Sequence, residues 1–515
     1  MLNYIIRRIL LMIPTLIGIT LLVFMLIALS PGGIGAALMA SGGGAMQSSS
    51  SIAITRAKLE DRYGLNEPAL IQYTRWLARI SPIKFGQRDL VTPAGDLITK
   101  PRPIPTPAGW QWFDSTLPDV ATPTAEQISA QFPADDSAKR AEAFRAVERN
   151  YTDARATFTA ADANLRDAFK RYVEAANPPD AWSTFLRNQQ PIIRRIIAQE
   201  PDRSVKEFAE LEKLSAEARA AWANAATQRA LLVAAMRTRP YPEAGFGISG
   251  VVSVAWPDLG TAFSVQRPVI DLIGEHLPVT LLLNIIAFPI IYLIAIPSGM
   301  LAAVRKGTWA DVGLGGVFIG FYSVPVVLAG ALALGFLATP EYLNAFPTSA
   351  MTSKSAESMT FLPSFGPDGF SRGYLLDLLW HLVLPVVCIV YGGFAVLSKQ
   401  TRAAMLENFN ADYVRTAKAK GVSNRDVIFA HVFRNSLLPL ITMFVTIFPA
   451  MLAGSVVIER IFSIPGMGYM LIEAISQRDR EIILANTTII AVVNLLALLA
   501  ADILYATADP RIAYK

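Results

Sequence analysis

ADYVRTAKAKGVSNRDVIFAHVFRNSLLP, residues Ala411 to Pro439, is a basic stretch of helix-forming composition set between two long apolar runs. From Lys399 to Arg434 the cations are Lys399, Arg402, Arg415, Lys418, Lys420, Arg425 and Arg434, against Glu407, Asp412 and Asp426. Short loops rich in Lys and Arg stay on the cytoplasmic side of a membrane. The chain is therefore expected to cross a bilayer repeatedly and to present a structured cytoplasmic surface between two spans, where an inside partner works on the membrane part.

Composition agrees. Hydrophobic residues make up 53% and charged residues 17% of the 515, where a soluble chain carries about a quarter charged. The net charge of +5 reads as an orientation signal, not as nucleic-acid affinity. The one cysteine, Cys388, lies in an apolar run, so no intrachain disulfide and no cysteine metal site is expected. His276, His381 and His431 show no ligand spacing.

A span takes about 20 largely apolar residues. Six segments qualify: Ile9–Leu29, Val279–Val304, Val312–Ala338, Leu375–Leu397, Leu437–Ile458 and Ile483–Ala506. The first is longer than a signal-peptide core and reads as a retained helix. Arg7 and Arg8, Arg305 and Lys306, the 399–439 loop, and Arg511 with Lys515 all fall on one side when six spans alternate. Both termini are then cytoplasmic. Asp377 and Asp502 are the acids singled out within the spans, with Asn284, His381, Asn486 and Asn494 as the main other polar residues. Ion-coupled transporters carry buried ionisable groups, so this scarcity points to energy supplied from elsewhere. Pro14, Pro289, Pro297, Pro325, Pro385 and Pro449 fall within spans, either as kinks near a pathway or as ordinary membrane-helix prolines.

Residues 31–278 are expected outside the cytoplasm, since long loops translocate largely regardless of charge. Within them, 98–123 is Pro-rich (KPRPIPTPAGW, Lys100–Trp110) and reads as an extended linker. Phe144, Val147, Tyr151, Ala154, Phe158, Ala161, Leu165, Ala168 and Tyr172 recur at spacings of three and four, a helix seam. Asn177-Pro178-Pro179-Asp180 ends that helix. A second face follows over Ser204–Arg237, carrying Phe208, Leu211, Ala218, Trp222, Ala225, Leu232 and Met236. The pair reads as an antiparallel hairpin, either a docking element or a spacer packed on its own protein.

No GxxxxGK[ST], GxSxG, HExxH or CxxC occurs, so the chain is not expected to hydrolyse ATP or to be an enzyme. Asp135-Asp136 reads as surface charge, and Gly42-Gly43-Gly44 as a flexible linker.

At the basic loop a family resemblance appears. Asp412-Tyr413-Val414-Arg415-Thr416-Ala417-Lys418-Ala419-Lys420-Gly421, then His431, Arg434-Asn435 and Leu438-Pro439, resembles the EAA loop of bacterial ABC-importer permeases in its dipeptide/oligopeptide variant. Further segments are similar to that family: Arg62-Tyr63-Gly64-Leu65-Asn66-Glu67-Pro68 with Gln72-Tyr73 and Trp76-Leu77; Asp258-Leu259-Gly260 with Pro268-Val269; and Leu277-Pro278-Val279-Thr280. So are Glu459-Arg460-Ile461-Phe462-Ser463-Ile464-Pro465-Gly466-Met467-Gly468 and Asp509-Pro510-Arg511. The likeness covers roughly 1–85 and 255–515. Where the general pattern has Glu-Ala-Ala this chain has Arg415-Thr416-Ala417, as in the peptide branch, and 87–250 has no counterpart.

The resemblance implies an all-α membrane protein of the bacterial cytoplasmic (inner) membrane, with the type I ABC-importer permease fold. Its six transmembrane helices divide into 1–30, the first helix, and 279–515, a five-helix core with the 399–439 coupling loop, while 31–278 is periplasmic and carries the helical hairpin insert. It implies as partners a second homologous permease, two ABC ATPase subunits that use the ATP, and a periplasmic substrate-binding protein, with no cofactor on this chain and no nucleic acid. The coupling residues carried over are Asp412, Tyr413, Arg415, Ala417, Lys418, Lys420, Gly421, His431, Arg434, Asn435 and Pro439. Ala417 and Gly421, four apart, share a helix face where small residues admit a close partner backbone. Arg415, Lys418 and Lys420 pair either with acids on the ATPase or with lipid headgroups, and Gly421 also reads as a helix C-cap. Peptides are the expected cargo; oligosaccharides, opines, glutathione and nickel belong to the same branch. An ion-coupled transporter would need buried coupling carboxylates or inverted repeats. A membrane-anchored sensor would need fewer spans and a cytoplasmic output domain.

Overall fold

The structure is a computed structural model and describes residues 2–29, 67–114, 116–176, 203–366, 369–437, 439–441, 443 and 456–508. Several expectations lie outside the described residues: Gly42–Gly44, Arg62–Asn66, Asn177–Asp180, Leu438, most of the Leu437–Ile458 span with Pro449, and the C-terminal Asp509-Pro510-Arg511 and Lys515. Residues 1–33 and 259–515 form one compact unit and 34–258 another. The chain opens with α1 (Leu2–Leu29), which carries Arg7 and Arg8 near its start, is largely apolar from Ile9 onward and has Pro14 inside it.

The second unit begins with α2 (Ala69–Ile80), entered through Pro68 and burying Gln72, Tyr73 and Trp76. Strand β1 (Ile83–Phe85) follows, then the small hairpin of β2 (Leu90–Val91) and β3 (Leu97–Ile98). A capping box on Thr124 starts the short α3 (Ala125–Gln131). Asp136 opens the long α4 (Ser137–Ala176): its Oδ1 accepts from the N–H groups of Lys139 (3.0 Å) and Ala138 (3.1 Å). Hydrogen bonding from the Lys139 backbone holds the Asp136 carboxyl below the usual carboxylate range. The return helix is α5 (Glu207–Arg237).

The heptad seam is the hairpin core. Phe144, Val147 and Tyr151 meet Leu232 and Ala235; Ala154 and Phe158 meet Ala225; Leu165, Ala168 and Tyr172 meet Phe208, Leu211 and Ala218. Early residues of α4 pair with late residues of α5, so the helices are antiparallel. Ala161 is half-buried, as are Trp222 and Met236. The 98–123 stretch is not a free linker. Pro101 and Arg102 carbonyls accept from the Arg229 guanidinium, the Ala108 N–H donates to Asp162 (2.9 Å), and Trp112 packs on Phe169 and Tyr172. Proline removes donors from this stretch, and the hairpin's side chains supply donors to its carbonyls. After α5, β4 (Phe246–Ile248) and β5 (Val252–Val254) join β1 in an antiparallel sheet ordered β1-β5-β4.

The first unit resumes with α6 (Val269–Val304), which contains Pro278, Pro289 and Pro297. Next come α7 (Trp309–Ser323) and α8 (Val326–Ala333), the latter continuing as a π turn over Leu334–Ala338. Then follow α9 (Gly373–Phe409), α10 (Asp412–Ala419), α11 (Asn424–Asp426, running into a π segment Val427–Phe433), α12 (Val456–Ile461), α13 (Met467–Ser476) and α14 (Arg480–Ala508).

Among the described residues four helices are long and apolar enough to cross a membrane: α1, α6, α9 and α14. The expected single span Val312–Ala338 is instead a pair of helices bent by 85° at Val324-Pro325. Pro325 has no N–H to donate, and Val324 before it is extended (φ −84°, ψ 117°), as the pre-proline clash requires. Pro14, Pro289, Pro297 and Pro385 lie inside continuous helices, so proline alone does not mark a break. The in-span acids have partners. Asp502 takes the Tyr4 hydroxyl (2.9 Å) and the Arg8 guanidinium (2.8 Å), tying α14 to α1. Asp377 takes the Ser353 N–H (2.7 Å).

Two segments distant in sequence close on one buried carboxylate. Thr280 on α6 donates to Glu459 on α12 (3.0 Å) and accepts from the Met467 N–H (2.7 Å), while the Tyr469 N–H donates to the other Glu459 oxygen (3.0 Å). Glu459 and Thr280 are fully buried.

Phe158→Ala is expected to cost the hairpin about 3–5 kcal/mol, since the ring is buried against Ala154 and Ala225. Hydrogen exchange across α4 and α5 should accelerate by roughly a hundredfold to several thousandfold. Unchanged exchange would remove the seam from the core.

Candidate functional site

α9 is 37 residues long, about 55 Å at 1.5 Å per residue, while a hydrocarbon core is about 30 Å. It therefore extends well past the bilayer. Its last turns carry Met405, fully buried, and Asn408. The chain then reverses through Asn410 and Ala411 into α10.

Val414 and Ala417, three apart on α10, face inward onto Met405, Ala303, Val427 and Val432. Ala417 therefore packs against its own chain. Outward lie Asp412, Tyr413, Arg415, Lys418 and Lys420, all exposed. The Tyr413 hydroxyl donates to Asn408 Oδ1 (2.5 Å).

Gly421 ends α10. Its φ is +78°, its N–H donates to the Lys418 carbonyl (3.0 Å), and the Val422 N–H donates to Ala417 (3.2 Å). This pair of bonds is the Schellman cap, which favours glycine at the left-handed position. A Cβ at Gly421 would meet no atom within 4 Å, so the requirement there is backbone conformation. Ser423 caps the next helix, accepting from the Asp426 N–H (3.1 Å).

The π segment then carries His431, half-buried, and leads to Arg434 and Asn435, both exposed; Pro439 is half-buried. Ser436, beside them, is fully buried. It bonds the Val432 carbonyl (2.8 Å) and accepts from Asn408 Nδ2 (3.1 Å), which ties α9 to the segment after α11. Neither residue stands out in the sequence: Ser436 lies inside the RNSLLP run at 434–439, and Asn408 lies well before it, in the last turn of α9.

One further contact braces the region. Arg402 on α9 donates Nε to Asp311 Oδ1 (2.6 Å) and Nη2 to Oδ2 (2.8 Å), and the Gly307 N–H donates to the same carboxylate (3.0 Å). This bidentate pair links α9 to the first turn of α7. Nothing local in the sequence announces it.

The outer face of α10 and α11 thus presents Arg415, Lys418, Lys420, Arg425 and Arg434 with Tyr413 and Phe429 exposed among them. Of its acids, Asp426 is held by Ser423 (2.6 Å) and Asp412 approaches Arg415 (3.6 Å). The face can dock an acidic surface with apolar pockets. Among the described residues, no group of three His, Cys, Asp or Glu side chains could hold a metal ion.

Residues 295–514 match the family described as binding-protein-dependent transport system inner membrane component. The oligopeptide transport system permease protein AppB of Bacillus subtilis is 38% identical over 259 residues, covering 50% of this chain and 76% of that protein. The inner membrane ABC transporter permease protein YejB of Escherichia coli O157:H7 is 34% identical, covering 50% of this chain and 68% of that protein. The dipeptide transport system permease protein DppB of Escherichia coli K12 is 32% identical over 268 residues, covering 50% and 77%. The chain belongs to the binding-protein-dependent transport system inner membrane component family. It is a multi-pass inner-membrane transport subunit and not an enzyme. A solved structure of the MetNI methionine ABC transporter aligns over 47% of this chain and 97% of that chain, with a TM-score of 0.34 and 12% identity.

Gly421→Ala is expected to cost the α10 cap about 1 kcal/mol and Gly421→Asn less, because Asn tolerates the left-handed region. Hydrogen exchange over 412–433 reads the difference. Equal effects of both substitutions would show that the cap geometry is not what glycine provides.

Proposed function

We propose that this chain is the membrane permease subunit of an ATP-driven ABC importer that carries peptides delivered by a periplasmic substrate-binding protein. The similarity to AppB, whose name records oligopeptide transport, carries the cargo. In this reading the chain pairs with a second homologous permease and two ABC ATPase subunits. The ATPases engage the outer face of α10 and α11 through Asp412, Tyr413, Arg415, Lys418, Lys420, Arg434 and Asn435. Ala417, Gly421, His431 and Pro439 shape that face from within or at its ends. Both termini lie in the cytoplasm, 31–278 in the periplasm with its helical insert at 87–250, and 279–515 forms the transport core.

The exposed cationic and aromatic face, rigidly mounted beneath α9, supports this assignment. A partner force applied to α10 reaches α9 through Val414 and Met405, and reaches α7 through Arg402 and Asp311. The paired state of Asp377 and Asp502 supports energy from ATP over ion coupling.

Reversing charge in Arg415→Glu/Lys418→Glu should leave the protein in the membrane while peptide uptake falls on the order of tenfold or more, since like charges at an interface cost several kcal/mol. Uptake at the wild-type rate, with wild-type protein levels, would remove these residues from the coupling face. Separately, protease added to spheroplasts should cut within 98–240; protection there, while other outer loops are cut, would reverse the topology.

A further inference from the structure

The β1-β5-β4 sheet of the second unit carries an apolar face. In its register Ile83 pairs with Val254 and Phe85 with Val252, while Phe246 and Ile248 pair with the same two residues from the other side. Paired residues share a face and alternate residues do too. These six side chains therefore project from one face, and all six are exposed, Phe85 at 81% and Phe246 at 86%. Trp256, two residues past Val254, is 93% exposed. The other face holds Lys84, Gly247 and the buried Ser253.

We propose that this sheet face lies on the lipid bilayer, in the interfacial layer, and holds the second unit against the membrane. Three observations select lipid over a protein partner. First, the six strand side chains of the face carry no polar atom, whereas protein interfaces carry about one hydrogen bond per 100–200 Å²; lipid asks for none. Second, several backbone carbonyls around it are satisfied by side chains of the same unit, which suits contact with an apolar phase. The Arg88 guanidinium donates to the carbonyls of Glu243, Ala244, Gly245 and Gly247 along the β4 edge. The Lys84 ammonium donates to the Ala78 and Arg79 carbonyls at the end of α2. Third, two Phe and one Trp among aliphatic residues form the mixture enriched where membrane meets water. A face this apolar left in water would be an aggregation liability, so its cover is permanent. That excludes a binding protein that comes and goes. The bilayer contact stands independently of the cargo and the coupling face; only the choice of the outer leaflet follows the proposed topology.

Spin-label accessibility in proteoliposomes of the full chain tests this. In a Cys388→Ser background, Phe246→Cys, Phe85→Cys and Trp256→Cys are labelled in turn with a nitroxide. Collision with oxygen is then compared with collision with a water-soluble nickel chelate. Leu26→Cys on the exposed side of α1 serves as the lipid reference, and Lys213→Cys on α5 as the water reference. The expected result is oxygen collision several-fold above nickel at all three sites, matching the Leu26 label. Nickel collision at the level of the Lys213 label would place the face in water. Low collision with both reagents would place it against protein. Either result overturns the proposal.

Discussion

A close approach between α6 and α9 sets the frame for the first unit. Gly299 lies so near α9 that a Cβ would stand 2.6 Å from the Ser398 carbonyl oxygen and 2.7 Å from Thr401 Cβ. At the same crossing the Ser298 and Ser398 hydroxyls share a hydrogen bond of 3.0 Å. In lipid, helices gain little from apolar burial alone, so small residues that admit close packing decide where they cross. What lies at either end depends on that crossing. α6 carries Thr280, which organises the turn around Glu459, and α9 carries the basic loop.

The second unit solves a different problem. Its long hairpin has a seam rich in alanine, with Ala154, Ala168, Ala218, Ala225 and Ala235 buried in it. Small side chains bring the helices close but bury little area each. Aromatic residues from the Pro-rich stretch make up the difference: Trp112 and Phe113 cover Phe169, Tyr172 and Phe208. The family match covers 295–514, so this unit lies outside it.

Much of this was legible in the sequence where the signal is periodic or local. The seam from Phe144 to Tyr172 was readable because three-four spacing on a solvated helix has one physical meaning. The end of α10 at Gly421 was readable because a left-handed cap selects glycine. The direction in which Ala417 faces was not, since a small residue fits a self-contact and a partner contact equally well. The break at Pro325 could not be told from the prolines at 289, 297 and 385 by residue type. The Arg402–Asp311 and Thr280–Glu459 contacts join residues far apart in the chain, and no short pattern records such pairs. The Pro-rich stretch looked like a linker because its cover comes from side chains on helices further along the chain.

The unbroken course of α9 has a mechanical consequence. Its contact with Gly299 falls at Ser398, roughly 16 Å from the Phe409 end and roughly 38 Å from the Gly373 end at 1.5 Å per residue. Treated as a rod pivoting on that crossing, the helix is a lever with unequal arms. A small sideways step imposed at the loop returns at the far end reversed in direction and about twice as large.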